Sequence, residues 1–289
     1  MAINNPQSAD RAYKFMYNVL GIDFHRYIYH EGDTIQFMDT EIPQTGQRRD
    51  VIVKVDGKTV RITEFMATPM KKGKMKIISD YHYLTRLDPS NKGFDVKTEV
   101  FSIAKVGSGV NIVKIDDSLI FQVKTHYTKS KNAWKVLNTI IHKTMMHEEL
   151  TIEESIDLLV LSDMEMGKDF KMPIKQLMIK IIELIGRSNI PDDLKSKIAL
   201  CEIKVLERFF IGDELSEMIG MLKTEVKNPK ILHILDEWGP GFDEIYLDGV
   251  TDGKIETARN LLADGFDEEF VSHYIGLSID QIREIKREL

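Results

Sequence analysis

Residues 47–66, QRRDVIVKVDGKTVRITEFM, restrict the fold more than any other stretch. Val51, Val53 and Val55 alternate with Ile52 and Lys54, and Val60, Arg61, Ile62 and Thr63 give a second run rich in β-branched side chains. Asp56-Gly57 between the runs predicts a tight hairpin, because that turn needs positive φ and glycine tolerates it. An acid opens the first strand (Asp50) and another lies near the end of the second (Glu64). Two registers are open. A two-residue loop pairs position i with 113 − i, so Asp50 faces Thr63 and Glu64 points to the opposite face. A three-residue loop with a bulge pairs i with 114 − i and sets Asp50 against Glu64. Apolar matching favours the first register, since Val51, Val53 and Val55 then share a face with Val60 and Ile62.

Two unpaired carboxylates at the mouth of an apolar hairpin would repel. A hard divalent cation held through oxygen would relieve the repulsion and could drive phosphodiester hydrolysis. The plain alternative is a surface hairpin with solvated acids at its ends. Residues 47–76 carry nine basic side chains against three acidic ones, an excess of 9 − 3 = +6, although the whole chain has a net charge of −7. A basic rim around an acidic pair suits a phosphate-bearing substrate, whereas the overall acidity does not favour general DNA binding.

A chain of 289 residues with 43% hydrophobic and 29% charged residues reads as a globular protein of one large or two ordinary domains. The single cysteine, Cys201, excludes an internal disulfide and a cysteine-rich zinc site and fits a reducing cytoplasm. No signal peptide and no membrane span are legible.

Residues 8–20 predict a helix ending at Gly21, residues 22–46 are mixed with a short strand over 35–38, and 72–87 predict a second helix. Strands follow at 96–104, 110–115 and 119–123, with a Gly-Ser-Gly turn at 107–109. From Ser130 the pattern is helical, over 132–146, 152–162, 173–186, 192–211, 213–226 and 229–237. His142 and His147, five apart, lack zinc-ligand spacing, and His82 reads as a packing residue. After Trp238-Gly239-Pro240-Gly241, a polar helix over 243–264 leads to a helix-turn-helix-like tail. Its last helix is nearly charge-balanced, which favours self-association or packing over DNA reading. The expected fold is therefore α/β with a mixed core over 1–128, a helical domain over 129–242 and a C-terminal module over 243–289.

Phe37-Met38-Asp39-Thr40-Glu41-Ile42-Pro43, then Arg48-Arg49-Asp50, then the hairpin ending Thr63-Glu64-Phe65-Met66, resemble the PD-(D/E)XK nuclease superfamily. More narrowly they are similar to the transposase-associated, recombination-promoting nuclease-like family. Asp10 with Tyr13-Lys14 resembles the Asp-x-x-Phe-Lys opening of that family, and the helix-Gly-helix-Gly-Leu-Ser-helix tail resembles its C-terminus. Lys74-Met75-Lys76 and Asp80-Tyr81-His82 resemble its next helix.

The resemblance implies a restriction-endonuclease-like core and a Mg²⁺- or Mn²⁺-dependent DNA endonuclease, with roles in recombination, transposition or defence against foreign DNA. It implies Asp50 and Glu64 as metal ligands, and Glu41 is a third candidate acid. Arg48, Arg49, Lys71, Lys72 and Lys74 would hold DNA. The third motif residue, glutamine or lysine in the family, falls on Met66. A thioether carries no proton and suits Mg²⁺ poorly. Either Lys74 or Lys76 substitutes for it, with Lys76 taken as the catalytic candidate, or the chain is a weakened or inactive relative serving as a DNA-binding or protein-interaction module. A homodimer would suit cutting of both strands.

Overall fold

The computed structural model describes residues 6–41, 48–68, 71–104, 112–114, 120–167 and 171–227, and beyond these residue 232 and short pieces between 258 and 287. The predicted helices over 229–237 and 243–264, the Trp238–Gly241 break and the 107–109 turn lie outside the described residues, wholly or for the most part.

The protein is mixed α/β. Helix α1 (Pro6–Leu20) is followed by α2 (Ile22–Tyr29), β1 (Ile35–Phe37), β2 (Val51–Val55), β3 (Thr59–Met66), α3 (Lys72–Leu87) and β4 (Asp95–Ser102). Then come β5 (Ile112–Lys114), β6 (Ile120–Gln122) and β7 (Lys124–Tyr127). The central sheet has five strands in the order β1-β2-β3-β4-β7, while β5 and β6 pair separately. β1, β2 and β3 are antiparallel neighbours, whereas β3, β4 and β7 run parallel. The carboxyl ends of those three strands therefore share one edge of the sheet.

Three sequence expectations need correction, the third being the hairpin register. Residues 22–29, read as mixed, form α2, entered through Gly21 at φ 56° and closed by His30 in the left-handed region. Strand β7 went unpredicted because KTHY has no apolar alternation; its place is fixed by pairing with β4, as Val100↔Thr125 and Ser102↔Tyr127.

The hairpin adopts the second register, Val51↔Thr63 through Val55↔Thr59, so positions sum to 114. Asp56 and Gly57 take positive φ, 49° and 63°. Lys58 is the extra residue: its N–H donates to Val55 O at 3.0 Å, and its carbonyl accepts from Asp95 N at 3.1 Å. Asp56 Oδ1 also accepts from the backbone N–H groups of Asp33 and Thr34 at 2.9 and 2.8 Å. Apolar matching misjudged the register because both faces of the hairpin are covered. Val51, Val53, Val55 and Phe65 join the main core with α1 and α2, while Ile52, Val60 and Ile62 pack with Met38, Phe94 and Val96.

Helix α1 is buried almost all round, with Tyr13, Phe15, Met16, Tyr17 and Leu20 at 2% exposure or less. Each such side chain contributes about 1.5–3 kcal/mol of burial. One side of α1 meets the sheet, where the Tyr13 ring lies 5.9 Å from that of Phe65 and 5.1 Å from that of Phe101. Another side meets the helical region, made of α4 (Ala133–Met145), α5 (Ile152–Val160), α6 (Ile174–Arg187), α7 (Asp192–Leu206) and α8 (Gly212–Val226). A capping box of Thr151 and Glu154 starts α5. The main apolar cluster runs from α1, α2 and β2 into α4–α8. At the C-terminus, α9 (Ile279–Arg287) is tied to Glu268 by Arg283 and Lys286. Among the described residues no helix is long and apolar enough to cross a membrane.

Candidate active site

The 114 register sets Asp50 and Glu64 against each other at the end of the hairpin, and backbone hydrogen bonds lock them. Asp50 N–H donates to Glu64 Oε1 at 3.1 Å, and Phe65 N–H donates to Asp50 Oδ2 at 2.8 Å. Each carboxylate thus spends one oxygen on the partner strand's backbone. The other oxygens meet lysines: Lys14 Nζ lies 2.7 Å from Asp50 Oδ1, and Lys74 Nζ lies 3.2 Å from Glu64 Oε2. Lys74 comes from the first turn of α3 and Lys14 from the middle of α1.

A third acid stands beside them. Asp10 lies one helical turn before Lys14, so both project from the same face of α1. Asp10 accepts a hydrogen bond from the Ala67 backbone, and its Oδ1 is buried with no partner among the described residues. Asp10, Arg11, Lys14, Asp50, Met66 and Lys74 line a cleft of about 740 Å³, with Lys71 and Thr68 also on its wall.

The electrostatics follow from burial and like charge. Burial, reinforced by Asp50, pushes the Glu64 carboxyl up to about 7, against which Lys74 and the Asp50 N–H work only in part. Burial and then Asp50 push Asp10 up to about 6. Lys74 is lowered by burial but raised by more than that through Glu64 and Asp50, so its ammonium stays charged at neutral pH.

Of the residues singled out from sequence, the structure brings together Asp50, Glu64, Met66, Lys71 and Lys74. Lys76 and Lys72 are exposed on α3 and do not line the cleft. Glu41 is half exposed and pairs with Arg48 at 3.6 Å rather than with Asp50. Arg49 is a structural clamp: it donates to Thr40 O, Asp39 O, Glu41 O and Thr85 Oγ1 at 2.7–3.1 Å and leaves little for a ligand. Met66 turns into an apolar cluster with Met75, Ile78, Val100 and Val123. His82 bonds Thr98 Oγ1 at 3.1 Å and packs on Phe121, outside the cleft. Asp10, Lys14 and Arg11 were not singled out as site residues; the short Asp-x-x-Tyr-Lys spacing was their signal.

The donor set suits a hard divalent cation: three carboxylates, no thiolate or imidazole, and one buried oxygen without a partner among the described residues. Among the described residues no three acids are already drawn together as in a formed metal centre; two of them hold lysines instead. Comparison with family models, curated proteins and solved structures returned no match to this chain.

Proposed function

We propose that this chain is a metal-dependent DNA endonuclease built on a PD-(D/E)XK-type core. The observation that carries the reading is the in-register Asp50–Glu64 pair, cross-bonded through the backbone, with Glu64 buried behind Asp50 and Asp50 joined by Asp10 in a cleft walled by Arg11, Lys14, Lys71 and Lys74. An α-helix, an antiparallel hairpin, a crossover helix and a parallel strand in that order support a restriction-endonuclease-like core.

Asp50, Glu64 and Asp10 would hold Mg²⁺ or Mn²⁺. When bound, such an ion polarises the phosphodiester and lowers the pKa of water. The chain supplies the rest. Lys74 keeps its proton, so it acts as a fixed positive charge for a phosphate oxygen rather than as a general base. It approaches Glu64 from α3 while the side chain at 66 is apolar, and it takes the electrostatic part that Met66 cannot play. Lys14 would leave Asp50 for the substrate phosphate once a cation neutralises the carboxylate. Arg11 and Lys71 extend the positive wall along the strand.

The burial of Met66 among Met75 and Ile78 favours a second reading, a non-catalytic DNA-binding relative. Plasmid nicking in Mg²⁺ or Mn²⁺, with EDTA controls, separates the two. Nicking lost in Asp50→Ala, Glu64→Ala and Lys74→Met supports the nuclease and the role of Lys74. DNA binding without nicking, by a folded wild type in either metal, supports the second reading.

A further inference from the structure

The parallel edge of the sheet carries a second groove. Tyr127, Lys129, Ser130, Ala104, Ser162 and Met164 line about 550 Å³ there, with Met166 and Glu165 completing the wall. Met66 on the first cleft pairs with Ser102, and Ser102 pairs with Tyr127, so two strand spacings separate the clefts. That is about 10 Å. Both open at the carboxyl ends of β3, β4 and β7, where parallel sheets bind their ligands.

We propose that this groove is a subsite for an unpaired nucleotide flanking the phosphate that Lys14 and Lys74 would hold beside Asp50 and Glu64, so that the substrate is a single-stranded or splayed DNA segment. The inference rests on the nuclease reading and names its substrate class. The half-buried Tyr127 ring offers a stacking surface, and the sulfur-bearing side chains of Met164 and Met166 give an apolar floor. Lys129 is exposed and has no ion-pair partner among the described residues, which leaves its charge for a phosphate. Ser162 Oγ is buried with no hydrogen-bond partner among the described residues, and Glu165 at the rim accepts from an exocyclic amine of a base.

The two clefts share supports. Tyr13, between Asp10 and Lys14 on α1, donates to Asp163 Oδ2 at 2.6 Å, and Arg208 bonds both Asp163 oxygens at 2.7 and 2.8 Å. Thr128, next to Tyr127, donates to the Asp163 carbonyl at 2.9 Å. Asp163 lies between Ser162 and Met164 of the groove wall. The helical region therefore completes the groove and fixes it to the helix that carries the first cleft's acid and lysine.

The test is fluorescence anisotropy of a labelled oligonucleotide, single-stranded or as a blunt duplex, with the full chain in Ca²⁺. Wild type is expected to prefer the single strand. Tyr127→Ala should weaken single-strand binding about tenfold, within the range for one stacked base, and cancel the preference. Lys129→Gln should reduce the salt slope of single-strand binding by about 0.7, one phosphate contact; it decides the matter if Tyr127→Ala does not fold. Wild-type affinity and slope in both variants, with nicking retained, would overturn the subsite and leave the nuclease standing. No DNA binding and no nicking by wild type would remove both.

Discussion

Glu64→Gln tests the candidate site without a substrate. The carboxyl is 1% exposed and is held up to about 7 instead of its usual 4.5, first by burial and then by Asp50. A raised carboxylate pKa means that the folded chain binds the proton more tightly than the unfolded one. The stabilisation is complete below 4.5, and it is lost as pH rises toward and through 7. At pH 8 the ionised Glu64 costs about 3 kcal/mol, and at pH 5 less than about 1 kcal/mol. Glutamine has nearly the same shape and no charge to bury. Without divalent cations Glu64→Gln should be more stable than wild type at pH 8, by on the order of 5–10 °C in Tm. The two should come within a few degrees near pH 5. Mn²⁺ should narrow the gap at pH 8 by stabilising wild type alone. Calorimetric scans at both pH values, with and without Mn²⁺, read all of this. A Glu64→Gln protein destabilised at pH 8, or a difference independent of pH, would refute the argument that burial and Asp50 strain this carboxylate.

Four further outcomes follow, the first from the same site. Binding of Mn²⁺ at pH 6.5 should release protons, because Glu64 at about 7 and Asp10 at about 6 are partly protonated there; titration calorimetry in buffers of different ionisation enthalpy should show that release vanish by pH 8.5, and Asp10→Asn should weaken binding. Asp163→Asn removes the ion partner of Arg208, which is 1% exposed, and should cost about 3–5 kcal/mol in denaturant melts; a loss below about 1 kcal/mol would contradict the buried network. Gly186→Ala sets a Cβ 2.7 Å from Glu225 Cβ and 2.8 Å from Glu225 O, where α6 meets α8, and should destabilise by about 1–3 kcal/mol. Light scattering on the purified chain checks the expected homodimer; a monomer mass would remove it.

The sequence by itself determined the local elements. Asp56-Gly57 specified a hairpin turn, the periodicity of 72–87 specified α3, and Thr151 with Glu154 specified where α5 begins. It also marked Asp50 and Glu64, because two acids at the ends of apolar strands are unusual against that background. These features depend on neighbours along the chain, whose geometry backbone sterics and capping dictate. Tertiary structure alone decided the register, since both hairpin faces are buried and alternation cannot tell them apart. It alone chose Lys74 over Lys76: on one helix, two residues apart, they point about 200° apart, and only the packing of Met75 and Ile78 on the sheet decides which side faces the acids. Asp10, forty positions before Asp50, joined the site only when α1 docked between sheet and helices. Contacts of that kind depend on how far elements turn against one another, which composition and spacing do not encode locally.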